Sequence, residues 1–343
     1  RHRALEMTMS FSNQCCLEVA DASHVGAARR RAAELSADAG LDETARGEVG
    51  IIVHELATNI LRHAGRGTLL LQRVGADGAG IEVLAFDAGP GMSNVDKCLA
   101  DGYSTGGTAG NGLGAVQRLS DEFEIWSAKS GTVVLSRVFR NATDRSVGGI
   151  GGICVALKGE RACGDAWAVR REAADIFVLV VDGLGHGADA AVAAESALAI
   201  FRKETATGTR QLLQQIHQTM QTTRGGAVAI AKVERDARQV NYCAVGNIAG
   251  RLQHADSSRG LLSNNGIVGG QFRRMEEISY PWSGPAQIIM HSDGLQSRWA
   301  LESYPGLMAR HPAIIAAVLF RDFSRGRDDA TVVVVKLPAA NDP

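Results

Sequence analysis

The chain has 343 residues, of which 45% are hydrophobic and 21% are charged, so it is long enough for two domains that each bury a core. Its 36 Lys and Arg residues balance 37 Asp and Glu residues, and a net charge of −1 gives no general attraction to nucleic acid or to an anionic membrane. No apolar run reaches the roughly 20 residues that a membrane-spanning helix needs. The six cysteines form no C-x-x-C pair and no Cys/His cluster, which argues against a zinc site or a disulfide framework and favours free thiols in a reducing cytoplasm.

Hydrophobic periodicity predicts two helices followed by strands in the first 140 residues. Apolar side chains at helical spacing place the helices at residues 22–37 and 43–63. Four strand-like runs then follow, at residues 67–74, 80–86, 123–127 and 132–139. These elements make a complete α+β unit.

A segment of low apolar content separates this unit from a second one. Residues 141–152 (NATDRSVGGIGG) contain four glycines and are predicted to be a linker. Beyond it the pattern predicts strands at residues 153–158, 166–169, 175–181, 226–233, 239–245, 287–291 and 331–337, and helices at residues 188–204 and 210–222. We therefore expect one domain at residues 10–140 and another at residues 153–338.

The second predicted helix carries two polar residues four positions apart, Glu55 and Asn59, which share one helix face. A carboxylate can serve as a general base, and an amide oxygen can bind Mg²⁺. Taken alone, the pair also fits an ordinary solvated helix face. Arg62 and His63 follow one turn later and are candidates to flank phosphates.

The strand IEVLAF ends at Asp87, which precedes Gly89, Pro90 and Gly91. A carboxylate at this position can accept a hydrogen bond from an exocyclic amine such as that of adenine, while the glycines let a ligand approach the backbone. The alternative is a plain turn, in which Asp, Gly and Pro are all common.

A glycine-rich loop follows, immediately before a short helical pattern. Backbone amides in such a loop, together with a helix N-terminus, can hold phosphate groups. The loop lacks the G-K-[ST] ending of a Walker A motif and the strand–turn–helix setting of a dinucleotide site. Its candidate residues are Ser104, Thr105, Gly106, Gly107, Gly110, Gly112, Leu113 and Gly114.

Together and in this order, the three motifs resemble those of the GHKL ATPase superfamily, and the runs HELATNILRHA and GLGAVQRLSDEFEIWS resemble the RsbT-like anti-sigma serine/threonine kinases. The resemblance spans about residues 10–140 and implies an N-terminal GHKL (Bergerat) α/β sandwich that binds ATP and Mg²⁺. It implies that Glu55 is the catalytic base, that Asn59 is the Mg²⁺ ligand and that Asp87 contacts adenine. It also implies that residues 104–114 form the ATP lid and phosphate loop.

Acidic residues of the second half recur at the ends of apolar strands. Asp165 precedes one strand, Asp182 and Asp293 each end a strand within a D-G-L sequence, and Asp328 and Asp329 precede the last strand. Carboxylates gathered at one sheet edge repel one another, and a pair of hard divalent cations would neutralise them and activate water for attack on phosphorus. Each D-G by itself also fits an ordinary turn.

These positions resemble the metal-dependent PPM phosphatases in their SpoIIE-like and RsbX-like form, over about residues 150–338. The resemblance implies an α-β-β-α sandwich that binds Mg²⁺ or Mn²⁺ through Asp165, Asp182, Asp293 and Asp328 and the carbonyl of Gly183. Asp182 is the residue expected to be catalytic, and Asp329 ranks lower because relatives often have Asn at that position. The turns at Gly246–Asn247 and 264–266 match family turns of structural or site-adjacent type, and His186 is either a phosphate neighbour or a helix-entry residue.

The two resemblances together imply a bifunctional kinase and phosphatase that acts on a STAS-domain anti-anti-sigma or scaffold protein in a partner-switching stress pathway, with a downstream regulator released by that protein. Kinases of this type often dimerise, which makes a homodimer an option. One alternative keeps only the phosphatase active and makes the N-terminal domain a nucleotide-sensing module. Another makes that domain a non-catalytic sigma-factor binder.

Overall fold

A computed structural model describes residues 7–11, 14–99, 112–141, 143, 149–172, 174–203 and 208–337. Within these residues the strands are, in chain order, β1 (Met7–Phe11), β2 (Cys15–Val19), β3 (Gly67–Val74), β4 (Gly80–Asp87), β5 (Glu122–Ala128), β6 (Gly131–Phe139), β7 (Ile150–Val155), β8 (Asp165–Glu172), β9 (Asp175–Gly183), β10 (Gly226–Glu234), β11 (Gln239–Val245), β12 (Ala249–His254), β13 (Ser258–Leu261), β14 (Glu277–Pro281), β15 (Ala286–His291) and β16 (Ala330–Leu337). The α-helices are α1 (Ala22–Asp38), α2 (Glu43–His63), α3 (Val95–Leu99), α4 (Gly112–Leu119), α5 (Ala188–Lys203), α6 (Thr209–Met220) and α7 (Pro312–Phe323).

The chain divides into two compact units that are interleaved in sequence. The N-terminal unit consists of residues 14–148 together with residues 303–321. The C-terminal unit joins β1 to residues 149–302 and to the segment that begins at residue 322. The sequence predicted two continuous domains instead. In the structure, β1 belongs to the C-terminal unit although the N-terminal unit follows it in sequence. Residues 303–321 belong to the N-terminal unit although residues of the C-terminal unit flank them.

Helix α2 begins and ends where the sequence predicts. Asp42 accepts a hydrogen bond from the backbone amide of Ala45 at 2.8 Å and so caps the first turn. Glu43 lies in the first turn and the basic residues Arg62 and His63 lie in the last, as the helix dipole favours. The helix buries its apolar stripe against the sheet and presents Glu55 and Asn59 on a neighbouring face.

The sheet of the N-terminal unit is fully antiparallel, in the order β2-β3-β4-β6-β5. Helices α1 and α2 pack on one face of it. β6 is buried at every position and β4 at all but its last, so both faces of this sheet are covered. Residues 303–321 cover the second face: the Phe320 ring lies 6.0 Å from that of Phe86, and the Trp126 indole donates to the carbonyl of Pro305 at 3.1 Å.

The C-terminal unit contains two antiparallel sheets, ordered β1-β8-β9-β10-β11-β14 and β13-β12-β15-β16-β7. Helices α5 and α6 pack on the first sheet through an apolar cluster that includes Phe201 and Ile216. The sheets pack closely enough that a Cβ on Gly152 would lie 2.8 Å from the Trp167 ring. The fold class is therefore the predicted one, an N-terminal α/β sandwich followed by a unit built on two packed sheets.

The structure also differs from the sequence prediction at several elements. β7 begins at Ile150, inside the segment predicted as linker, because Ile150 to Ile153 pair with β16. The sequence prediction also lacked two helices (α3 and α7) and five strands (β1, β2, β12, β13 and β14). None of the helices in the described ranges is long and apolar enough to cross a membrane.

Candidate functional site

The N-terminal unit contains a cavity of about 380 Å³ between α2, the sheet and the start of α4. It brings together eight of the residues that the sequence singled out: six for the nucleotide site and two, Arg62 and His63, as candidates to flank phosphates. Its lining includes Glu55, Asn59, Arg62, His63, Asp87, Gly91, Gly112, Leu113 and Thr132. A cavity of this size with convergent polar groups is typical of a small-ligand site.

Glu55 and Asn59 lie directly against the first residue of α4. A Cβ on Gly112 would be 2.7 Å from the Glu55 Oε2 atom and 3.9 Å from the Asn59 Oδ1 atom. A side chain at position 112 would displace the Glu55 carboxylate from this place, so glycine suits the close approach of the two helices. Glu55 and Asn59 are both half-buried, and both line the cavity.

Asp87 ends β4 at the other side of the cavity. Its Oδ1 atom accepts a hydrogen bond from the Gly89 amide at 2.8 Å, and its backbone carbonyl accepts one from the Arg321 Nη1 atom at 2.9 Å. Burial raises the pKa of the Asp87 carboxyl, and the backbone hydrogen bonds from Gly89 and Thr132 oppose that rise. Gly131, at φ 131°, lets the β5–β6 turn approach the Asp87 carbonyl, where a Cβ would come within 2.0 Å.

The remaining glycine-loop residues are only partly described. Ser104, Thr105, Gly106, Gly107 and Gly110 lie outside the described residues. Gly114 is buried within α4, and Gly89 packs against Ala64 instead of lining the cavity. Sequence reasoning missed Thr132, whose only signal is its register opposite Asp87 in β6.

The C-terminal unit places the predicted carboxylates at one edge of its two sheets. Asp165 and Asp182 are direct partners across β8 and β9. Asp293 follows β15 and Asp328 precedes β16, and these two strands are neighbours in the other sheet. The sequence prediction that strand ends bring these side chains to a common edge agrees with this topology.

Burial and mutual repulsion perturb two of these carboxyl groups strongly. Asp165 is 1% exposed and its pKa is raised well above the ordinary value, first by burial and then by the charge of Asp182. Burial, followed by the charges of Asp293 and Asp328, raises the pKa of Asp182 to about 7. Because burial and mutual repulsion disfavour the ionised carboxylates at this edge, cations bound there would stabilise the fold.

Asp329 and Asp328 have different surroundings. The buried Asp329 carboxylate accepts hydrogen bonds from the amides of Leu157 and Gly164, both at 2.7 Å, so it holds two loops in place. Asp328 is exposed and accepts a hydrogen bond from the Asp329 amide at 2.9 Å. This geometry favours Asp328 over Asp329 as the residue free to bind a ligand, as the sequence ranked them.

Two further side chains position the acidic edge. The Ser292 hydroxyl donates to the Asp165 Oδ2 atom at 2.6 Å, and the Asn247 amide donates to the Asp293 Oδ2 atom at 2.7 Å. Asn247 lies in a turn that the sequence marked as structural or site-adjacent, whereas Ser292 was missed although it precedes Asp293. His186 pairs with Glu160 at 2.8 Å, a contact that occupies its Nδ1 atom.

The carboxylates do not form a compact ligand cluster as they stand. Among the described residues, no group of three His, Cys, Asp or Glu side chains is close enough to hold a single metal ion. The donor set nevertheless fits hard divalent cations, because it consists of carboxylate oxygens whose charge is otherwise uncompensated. At Gly183, a Cβ would lie 2.3 Å from the Ala190 carbonyl, so the backbone next to Asp182 has no room for a side chain.

Comparison with known proteins finds one family in each unit. Residues 19–137 match the histidine kinase-like ATPase domain, and residues 172–338 match the stage II sporulation protein E (SpoIIE) family. The serine/threonine-protein kinase RsbT of Bacillus subtilis is 33% identical over 126 residues, which are 36% of this chain and 95% of RsbT. The phosphoserine phosphatase RsbX of Bacillus subtilis is 25% identical over 140 residues, which are 40% of this chain and 70% of RsbX.

One solved structure supports the fold assignment. Its title is "The bacterial stressosome: a modular system that has been adapted to control secondary messenger signaling". The matched chain is 30% identical, with a TM-score of 0.51, over 54% of this chain and 97% of that one. The chain therefore belongs to the RsbT family of histidine kinase-like ATPase domains, and its residues 172–338 are similar to the SpoIIE family.

Proposed function

We propose that this chain is a bifunctional enzyme that phosphorylates a serine or threonine of a STAS-domain protein with ATP and removes the same phosphate in a metal-dependent reaction. The observation that carries the proposal is the presence of two separate sites in one chain. One is the cavity with Glu55, Asn59 and Asp87, and the other is the acidic edge with Asp182. The similarity to a kinase and to a phosphoserine phosphatase supports opposed activities on one target.

In the kinase reaction, the cavity of the N-terminal unit would take ATP. The Asp87 carboxylate would accept a hydrogen bond from the adenine amine, and Asn59 would hold Mg²⁺ through its amide oxygen. The Glu55 Oε2 atom lies next to Gly112, the first residue of α4. There it would accept the proton of the substrate hydroxyl as that oxygen attacks the γ-phosphorus.

In the phosphatase reaction, Asp165, Asp182, Asp293 and Asp328 would hold Mg²⁺ or Mn²⁺. The metal would supply a nucleophilic water at neutral pH and neutralise charge on the phosphoester. The chain's own part is to keep the carboxylates in place. Ser292 does this for Asp165, and Asn247 does it for Asp293.

The test uses purified full-length protein, a STAS-domain protein and either ATP with Mg²⁺ or no nucleotide with Mn²⁺. Glu55→Ala is expected to lower phosphoryl transfer at least about a hundredfold and to leave dephosphorylation intact. Asp182→Asn is expected to lower dephosphorylation and to leave phosphoryl transfer intact. The two variants act as controls for each other, since each must keep the activity of the other unit.

Three results would contradict parts of the proposal. Phosphorylation that survives Glu55→Ala removes that residue as the base. Dephosphorylation that survives Asp182→Asn removes the acidic edge as the phosphatase site. ATP binding without transfer to any STAS protein makes the N-terminal unit a nucleotide sensor instead of a kinase.

A further inference from the structure

Three arginines that the proposed reactions do not use lie together in the C-terminal unit. Arg298, Arg325 and Arg327 line one open pocket of about 590 Å³ with Gln296 and Ser297. All three arginines are exposed. The sequence analysis assigned these three arginines no role, because Arg298 lies 27 positions before Arg325 and only the fold brings them together.

The pocket is built on the same two loops that carry Asp293 and Asp328. The loop after β15 contains Asp293 and Arg298, and the loop before β16 contains Arg325, Arg327 and Asp328. Backbone hydrogen bonds join the loops, from Gln296 N to Phe323 O at 2.9 Å and from Arg325 N to Gly294 O at 2.8 Å. An anion bound by these arginines would therefore contact the same loops as the proposed metal ligands. Arg298 is five positions after Asp293, and Arg327 directly precedes Asp328.

The first of these loops is fixed by contacts beneath it. Arg251 donates to the carbonyls of Trp299 at 2.9 Å and Ser297 at 3.2 Å, and its guanidinium lies 3.8 Å from the centre of the Trp299 ring. The Trp299 indole donates in turn to His291 at 3.3 Å. A loop held in this way loses little conformational freedom when it binds a ligand, so its charges are preorganised.

The charges of the three arginines are not neutralised within the described part of the chain. None of them forms an ion pair with a described residue, and the polar contact of an Arg325 side-chain nitrogen is a long one, 3.5 Å, to the Leu295 carbonyl. Nearby Asp293 and Asp328 are the residues that would bind cations. The guanidinium groups thus stay available for carboxylates of another molecule, which they can bind in a bidentate way.

We propose that Arg298, Arg325 and Arg327 form a docking pocket for acidic residues that flank the phosphoserine of the protein substrate. The proposal rests on the proposed phosphatase function and adds a substrate class to it: phosphoproteins with Asp or Glu next to the phosphorylated residue. The phosphate itself goes to the acidic edge with its metal ions, and the arginines bind the neighbouring carboxylates. The pocket therefore acts on substrate affinity and not on the chemical step.

The experiment compares three substrates of the full-length protein with Mn²⁺. Two are phosphoserine peptides of equal length, one with Asp and Glu flanks and one with Ser and Gln flanks, and the third is p-nitrophenyl phosphate. The triple variant R298A/R325A/R327A is expected to raise KM for the acidic peptide about tenfold with little change in kcat. The wild-type preference for the acidic peptide is expected to shrink as salt is added.

Two variants serve as comparisons. Arg202→Ala removes an exposed arginine near the C-terminal end of α5. This helix begins just after the Asp182 turn, so Arg202 lies roughly 20 Å along it from that turn. The variant is expected to leave KM unchanged. The triple Arg→Lys variant keeps the charge but loses bidentate geometry, and we expect an intermediate KM. Thermal unfolding of each variant checks that it folds like the wild type.

Equal KM values of the wild type for the two peptides would overturn the docking pocket while leaving the phosphatase function in place. An equal loss of all three substrates in the alanine variant would also overturn it, because the arginines would then act on the scissile phosphate. A wild type that hydrolyses p-nitrophenyl phosphate but neither peptide would contradict the proposed function itself.

Discussion

At the residue scale, two buried carboxyls of the acidic edge, those of Asp165 and Asp182, have strongly raised pKa values. The pKa of Asp182 is raised to about 7 from an ordinary value of 3.8 by burial and by nearby carboxylates. Between these two values the folded chain holds more protons than the unfolded chain, so stability falls as the pH rises. The neutral Asp182 carboxyl contributes its full stabilisation of the folded chain below about pH 4, and this contribution is lost once the pH has risen above about 7.

We therefore expect metal-free protein to unfold at a lower temperature at pH 8 than at pH 5. Asp182→Asn, which cannot ionise, should reduce this pH dependence by about 8 °C, since the raised pKa costs about 2.7 kcal/mol between pH 5 and pH 7 and 1 kcal/mol shifts the midpoint by about 3 °C in a domain of this size. Thermal unfolding in the presence of EDTA measures it. Asp236→Asn, at an exposed turn, is the control and should leave the pH dependence unchanged. An equal pH dependence in wild type and Asp182→Asn would contradict the role of Asp182.

A second residue-scale prediction concerns a buried ion pair in the N-terminal unit. Glu82 and Arg137 are 0% and 1% exposed, pair directly across β4 and β6, and approach to 2.6 Å. Arg137→Met leaves the Glu82 charge buried without its partner, and we expect it to lower the free energy of unfolding by about 3–5 kcal/mol. Urea unfolding measures this change.

Replacing both members of the pair with apolar residues should recover most of that loss, because no uncompensated charge remains. The exposed pair of Arg31 and Glu34 is the matched control, and Arg31→Met should cost less than about 1 kcal/mol. A double variant as unstable as Arg137→Met would show that the loss comes from packing instead of charge.

At the element scale, sequence periodicity predicts elements that have one apolar face and fails for those that have none or two. α2 has a clear apolar stripe and caps at both ends, and its predicted bounds are those of the structure. α7 is buried at every position from Pro312 to Leu319, so it has no polar face to reveal a helical period. β13 is exposed at three of its four positions and was missed for the opposite reason.

The same reasoning explains which site residues sequence could indicate. Asp182 and Asp293 follow apolar strands within D-G-L sequences, so local pattern was enough to select them. Arg137 and Arg321 lie far in sequence from Glu82 and Asp87, the residues they contact, and only the fold brings them together.

α7 provides a prediction for nucleotide binding. The Arg321 side chain donates to the Asp87 carbonyl at 2.9 Å and so holds the end of β4, from which the Asp87 carboxylate extends into the cavity. Arg321→Ala should weaken ADP binding about 3- to 10-fold, less than the full value of a hydrogen bond from a charged donor, because Arg321 acts through the position of Asp87. Isothermal titration calorimetry measures the affinity.

Arg310→Ala is the control for this experiment. Arg310 precedes α7 and pairs with Glu124 at 3.5 Å in a half-buried position away from Asp87, so its loss should leave ADP affinity within about twofold. ADP affinity that is unchanged in Arg321→Ala would contradict a role of α7 in the proposed nucleotide site.

At the scale of the whole molecule, the two units exchange chain segments. β1 pairs with β8 along five residues although it precedes the N-terminal unit in sequence. Residues 303–321 lie with the N-terminal unit although they fall inside the SpoIIE match at 172–338. Each unit therefore depends on a segment that the sequence assigns to the other.

This interleaving predicts that division of the chain at the sequence boundary harms both halves. A fragment of residues 14–148 lacks the segment that covers the second face of its sheet, so it should expose apolar surface, bind a hydrophobic dye and melt at least about 5 °C below the same unit in the full chain. Attaching residues 303–321 to its C-terminus through a flexible linker should restore most of that loss, because the linker adds only a modest closure entropy. A scrambled segment of the same composition is the control. If residues 14–148 alone melt like the intact protein, then residues 303–321 contribute nothing to the stability of the N-terminal unit, and its natural boundary is the one that the sequence predicts.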